Sequence, residues 1–202
     1  QAIIDATEVG KLDAAVVAVV SDVPDAYALE RARQHSIPPI FVDPKAHPTR
    51  EAFDEAMISV LTEHQVELIC LAGYMRVLSP RFIHHFHHRI MNIHPALLPS
   101  FPGLHVQRKG LHHGVKFSGC TVHFADEGVD TGPIVIQAVV PVFDDDTEQT
   151  LAARILKYEH QIYPRAIQLY AEGRLEVKER RVFCRGSEAD RAVREGWGYI
   201  HP

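Results

Sequence analysis

Along the first ninety positions the apolar residues alternate between two arrangements: short unbroken runs, and stretches with one apolar residue every three or four positions. Residues 1–6 read as a helix already under way, with no N-cap ahead of it. Residues 14–20 (AAVVAVV) are continuous and β-branched, which predicts a strand buried on both faces of a parallel sheet. A helix is predicted over 24–34, capped by Ser21 or Asp22, and a proline-bounded strand over 37–42. After Pro48 the positions of Phe53, Ala56, Met57, Val60 and Leu61 give one apolar helical face. Residues 66–72 (VELICLA) predict another buried strand, ended by Gly73. A short helix then starts at Pro80 and runs through Phe86, and 90–93 is a short strand leading into NIHP.

Strand and helix thus alternate, which predicts right-handed βαβ units: an α/β, Rossmann-like, doubly wound and mostly parallel sheet. Beyond residue 94 the pattern changes. Residues 120–124 and 134–142 (IVIQAVVPV) read as two strands joined by a Gly-rich loop, EGVDTGP. A long helix follows from a cap near Thr147 to about Ala171, then a hairpin-like pair of strands within 175–183, and a tail from Arg185 expected to be loosely held. No repeat interrupts the pattern, and we read 1–202 as one domain, with a nucleotide-binding-like half over 1–93, a catalytic half over 94–177 and a tail over 178–202.

Composition narrows the classes further. A chain of 202 residues, 46% hydrophobic and 23% charged, suits an ordinary globular α/β protein. The formal net charge is −5 and the basic residues are scattered, which argues against nucleic acid as a partner. Cys70, Cys120 and Cys184 lack metal-ligand spacing and read as reduced thiols. No apolar run is long enough to span a bilayer and the N-terminus lacks a signal-peptide pattern, so a cytoplasmic location is expected.

In an open α/β sheet, ligands bind beyond the carboxyl ends of the strands. Three segments lie there: GYMRVL from Gly73, NIHPALLPSFPG from Asn92, and HFADEGVDTGP from His123. In an extended segment Asn92 and His94 point the same way, placing an amide donor beside an imidazole. That pair suits acyl transfer to an amine, the amide steadying an oxyanion and the imidazole moving a proton. Asp130, in the loop with Gly128 and Gly132, is the natural carboxylate partner for the histidine. Each residue alone also has a structural reading as a turn or cap; the combination carries the signal.

That combination, NIHPALLPSFPGLH followed by GCTVHF and DEGVDTGPIVIQ, with LAGYMRVLSP upstream and YEHQIYP downstream, resembles the glycinamide ribonucleotide formyltransferases, a folate-dependent formyltransferase family. The resemblance extends to about Val177. It implies an enzyme of purine biosynthesis that moves the formyl group of 10-formyltetrahydrofolate to the amine of glycinamide ribonucleotide by direct attack, without a metal, acting as a monomer or homodimer. By the same resemblance Asn92, His94 and Asp130 are catalytic. The folate is expected along Tyr74, Met75, Arg76, Val77 and Leu78, against Asn92 and the loop Asp126, Glu127, Gly128, Val129 and Asp130, with Arg50 at its anionic end. Pro95, Leu156, Lys157, Tyr158 and Glu159 are expected to line the ribonucleotide site, with His123 as an auxiliary group.

The resemblance also implies a first strand and a Gly-Ser-Asn phosphate loop; the chain as written starts after them, so both are expected to lie outside it. Alternatives on the same residues are a 10-formyltetrahydrofolate hydrolase, a methionyl-tRNA formyltransferase, or a non-catalytic folate- or nucleotide-binding module. The run His84, His85, His87 and His88, and the pair His112 and His113, have no place in this chemistry and are not read as a metal site.

Overall fold

A computed structural model describes residues 1–186. The first half consists of α1 (Ala2–Glu8), β1 (Val19–Ser21), α2 (Tyr27–Gln34), β2 (Pro39–Phe41), α3 (Arg50–Glu63), β3 (Ile69–Leu71), α4 (Pro80–His85) and β4 (Ile90–His94). The second half adds α5 (Val106–His113), β5 (Phe117–Phe124), β6 (Ile134–Pro141), α6 (Glu148–Ala171), β7 (Leu175–Lys178) and β8 (Arg181–Cys184). The tail after Arg185, expected to be loosely held, lies almost wholly outside the described residues.

Helix starts follow their capping chemistry. Thr49 accepts from the Ala52 amide at the head of α3, and Ser79 accepts from the Phe82 amide, with Pro80 in the first turn of α4. Thr147 and Thr150 form a reciprocal capping box for α6. The cap expected at Ser21 serves a turn instead: its hydroxyl accepts from the Val23 amide, and α2 begins later, at Tyr27. On α3 the buried face is Phe53, Asp54, Met57, Ile58 and Leu61, rotated slightly from the apolar reading; Ala56 and Val60 are half-buried beside it. Asp54 can sit inside because its carboxylate accepts from the Ser79 amide at 2.7 Å, which ties α3 to the start of α4.

The expectation of a mostly parallel sheet is corrected. Among the described residues there are two sheets, β1-β2 and a six-stranded sheet in the order β3-β4-β5-β6-β8-β7. The pairs β1-β2, β3-β4 and β6-β8 are parallel, whereas β4-β5, β5-β6 and β7-β8 are antiparallel. The sheet is mixed because β5 turns back on β4 after α5, and short connections reverse direction again between β5 and β6 and between β7 and β8. The strand expected over 14–20, buried on both faces, is also shorter than its apolar run: only Val19–Ser21 pairs, with β2 alone, and Val17 is 41% exposed. Apolar character marks a strand, but pairing partners set its length.

Two hydrophobic clusters meet at β4. Ile90 belongs to the one built on α3 and α4, and Met91 to the larger one built on β5, β6 and α6. Successive strand residues face opposite ways, so β4 is a shared wall with its C-terminal end at the rim of both. Burying side chains such as these contributes about 1.5–3 kcal/mol each relative to exposure, so the wall is firmly held.

Candidate active site

The site grows from the end of that wall. Asn92 and His94 lie two residues apart on β4, and antiparallel pairing puts Asn92 directly opposite His123 on β5. The Asn92 amide nitrogen donates to His123 Nε2 at 3.2 Å. Behind His94, the Thr121 hydroxyl donates to the Ala96 carbonyl at 2.7 Å and accepts from the Leu98 amide at 3.1 Å. Gln137 donates both to Thr121 Oγ1 and to the Leu98 carbonyl. This buried lattice fixes the segment that leaves β4.

The loop between β5 and β6 supplies the carboxylate. Asp126 Oδ1 accepts from the Gly128 amide at 3.1 Å and the Thr131 hydroxyl at 2.6 Å, which folds the loop on itself. Gly132 packs so closely on the Phe124 carbonyl that a Cβ there would overlap it. Asp130 takes a left-handed backbone, φ +54°, a region that Asp and Asn enter more readily than most residues. Its Oδ2 accepts from the Gly103 amide at 2.8 Å and lies 3.3 Å from His94 Nδ1. Its Oδ1 lies 3.5 Å from the Asn92 amide nitrogen and 3.6 Å from His123 Nε2.

Burial alone would raise the Asp130 carboxyl, but the neighbouring His123 ring, the Gly103 amide that donates to it and the His94 ring outweigh it and hold the group below the ordinary carboxylate range. His94 Nε2 faces the Phe101 carbonyl at 2.9 Å, so the ring stands between two acceptors and can donate to both only as an imidazolium.

These groups open onto a cleft of about 760 Å³, within the range of small-molecule sites. Of the residues expected from sequence, Tyr74, Met75, Arg76, Val77, Leu78, Asn92, His94, Pro95, His123, Asp126, Gly128, Val129, Asp130, Leu156 and Glu159 line it. Met75 is 70% exposed and Val77 and Val129 each 53%, giving apolar surface on two sides of the opening. Burial, helped by the charges of Asp22 and Asp54, pushes the Tyr74 phenol up to about 12, so it stays protonated. Burial likewise raises the Glu159 carboxyl.

Four expected residues do not reach the cleft. Arg50 opens α3 and pairs with Glu51, at 3.6 Å, on the surface. Glu127 turns outward to His84, at 3.1 Å. Lys157 is exposed and Tyr158 packs against the larger core, because on α6 only positions three or four apart share a face. That face is Leu156, Glu159, His160 and Tyr163, so His160 and Tyr163 line the cleft where a contiguous reading missed them. Gly103, Leu104 and His105 also line it, on a segment whose motif was visible but whose helix, α5, was not foreseen. Among the described residues no three His, Cys, Asp or Glu side chains are grouped to hold a metal ion. Nor is any described helix long and apolar enough to cross a membrane.

Residues 1–167 match the formyl transferase family. The phosphoribosylglycinamide formyltransferase of Escherichia coli is 43% identical over 186 residues, 92% of this chain and 88% of that protein. The chain belongs to the phosphoribosylglycinamide formyltransferases of the formyl transferase family. The crystal structure of glycinamide ribonucleotide transformylase 1 from Symbiobacterium toebii superposes on this chain with a TM-score of 0.90 at 51% identity, covering 92% of this chain and 87% of that one. A further relative, the trifunctional purine biosynthetic protein adenosine-3 of Drosophila melanogaster, is 49% identical over 175 residues; the match covers 86% of this formyltransferase and 13% of that much longer protein.

Proposed function

We propose that this formyltransferase moves the formyl group of 10-formyltetrahydrofolate to the amine of glycinamide ribonucleotide in purine biosynthesis, the reaction named by its branch of the family. The observation that carries this reading is the convergence of Asn92, His94 and Asp130, which are remote in the chain, at the rim of one ligand-sized cleft.

The chemistry follows from what each group can do. The substrate amine attacks the formyl carbon, a new C–N bond forms, and the bond to the folate nitrogen breaks. The amine loses one proton and the folate nitrogen gains one. Asn92 donates to the oxygen on which negative charge develops. Asp130 holds His94 at Nδ1. His94 Nε2, turned away from Asp130, relays the proton.

The loop 74–78 offers backbone groups and the apolar surface of Met75 and Val77 to a flat heteroaromatic ring, with Val129 opposite, which fits a folate. Glu159, across the cleft on α6, faces the ribonucleotide as a hydrogen-bond acceptor. No step in this scheme calls for a metal. The edges of β1 and β3 that lack a neighbour among the described residues support the reading that the family's first strand fits between them. The protein is taken to work in the cytoplasm as one domain, as a monomer or homodimer.

The test is direct. The protein is incubated with 10-formyltetrahydrofolate with and without glycinamide ribonucleotide, and release of deformylated folate is followed. Release that needs the amine is the expected result. Release at the same rate without it would mean hydrolysis, and no release would mean a binding module.

A further inference from the structure

His123 has no part in the scheme above, yet it is buried at its centre, with its side chain 3% exposed. Its Nδ1 lies 3.0 Å from the Phe124 carbonyl oxygen, an acceptor only, so Nδ1 carries a hydrogen. The other ring nitrogen has two polar neighbours, Asn92 Nδ2 at 3.2 Å and Asp130 Oδ1 at 3.6 Å. The first is within hydrogen-bond range and the second is beyond it. A hydrogen on Nε2 would oppose the hydrogens of the amide and leave the carboxylate out of reach. The arrangement is consistent when Nε2 is a bare acceptor.

The orientation of Asn92 follows from the same contacts. With its oxygen and nitrogen exchanged, the amide oxygen would face the lone pair of Nε2 and the Asp130 carboxylate together, which repels on both sides. His123 and Asp130 therefore fix the amide with its nitrogen inward. One hydrogen is committed to His123; the other is aimed at Asp130 Oδ1 across 3.5 Å, the outer limit of a hydrogen bond. A formyl oxygen entering the cleft displaces so weak a contact.

We propose that His123 is a positioning residue, a neutral imidazole that accepts from Asn92 and so presents the second hydrogen of that amide to the reacting carbonyl oxygen. This rests on the reading of Asn92 as the oxyanion donor. The charged and titratable groups facing His123 are Asp130 and, beyond it, His94. Neither supplies Nε2 with a hydrogen-bond acceptor in range.

Three measurements on the protein test it. In His123→Leu the acceptor is gone, and kcat is expected to fall about 10- to 100-fold, somewhat less than the loss of an oxyanion donor itself, with KM for the amine little changed. In His123→Gln a side-chain oxygen can replace Nε2, so most of the lost kcat is expected to return with the wild-type pH profile. In wild-type protein with ¹⁵N-labelled histidine, the Nε2 resonance is expected to be of the unprotonated, pyridine type at neutral pH.

Wild-type activity in His123→Leu would overturn the proposal. So would a glutamine variant as poor as the leucine one with one limb of the pH profile missing, since His123 would then carry a proton. A doubly protonated ring in the wild-type spectrum would also overturn it, and that readout holds if His123→Leu fails to fold. Failure of the transfer reading itself is separate: wild-type protein would show no amine-dependent release at all.

Discussion

Asp130→Asn isolates the charge of the site from its shape. Asparagine keeps the size of the side chain, tolerates the left-handed backbone at φ +54°, and retains an oxygen that can accept from the Gly103 amide. What disappears is one negative charge 3.3 Å from His94 Nδ1. At that separation a pair of unit charges attract by about 1.3 kcal/mol in bulk water and by about 5 kcal/mol at the effective dielectric of roughly 20 that suits partly buried pairs. The Asp130 side chain is 12% exposed and that of His94 6%, so the larger figure is the better guide.

If the transition state needs a charged His94, kcat should fall by between about one and nearly four powers of ten. The assay is steady-state formyl transfer across pH 5.5 to about 9, a range spanning histidine titration, with a thermal melt to show that the fold survives. A kcat within about threefold of wild type throughout would refute the reasoning, because a charge this close cannot be removed so cheaply if it supports the reacting imidazole.

Three further outcomes follow from the same geometry. Asp146, whose side chain is 3% exposed, forms a two-pronged pair with Arg154 that holds its carboxyl far below the ordinary range. A depressed carboxyl stabilises the fold above its unfolded pKa near 3.9 and loses that contribution as pH falls through the folded value. Asp146→Asn should therefore cost about 2–4 kcal/mol at pH 7 in a urea titration, with the gap to wild type closing as pH drops below about 3.9. Thr121→Val keeps the shape but leaves the Leu98 amide and the Ala96 carbonyl unsatisfied; a loss of about 1–3 kcal/mol, with kcat lowered through a loosened His94 segment, is expected from melts and kinetics. Glu159→Gln should raise KM for the ribonucleotide while leaving KM for the folate unchanged; equal effects on both would place Glu159 elsewhere.

Much of this arrangement was legible in the sequence, for identifiable reasons. The period-two spacing of Asn92 and His94 fixed their common direction, and the glycines around Asp130 marked a loop able to fold back. Pro80 and the cap near Thr147 marked helix starts closely. Strand lengths were not legible, because residues 14–20 are uniformly apolar while only Val19–Ser21 finds a partner. Sheet direction was only partly legible: the Gly-rich loop between 120–124 and 134–142 marked the reversal from β5 to β6, but not the antiparallel pairing of β4 with β5 across α5. Helix α5 is only eight residues long, holds Gly110 and has no side-chain cap at His105, so no start signal marked it and it was missed. Glu127, Lys157 and Tyr158 were expected as sequence neighbours of cleft residues, and side-chain direction separates them from it; Arg50, expected by resemblance alone, pairs with Glu51 instead.

The residues proposed to carry the chemistry all come from β4, β5 and the loop that follows β5, whereas α1 and α2 contribute wall but no reacting group. Altering those early elements should thus retune which ligands the enzyme retains and how tightly, without disturbing its turnover of whatever is bound. Selection could adjust affinity and reactivity along separate stretches of one polypeptide.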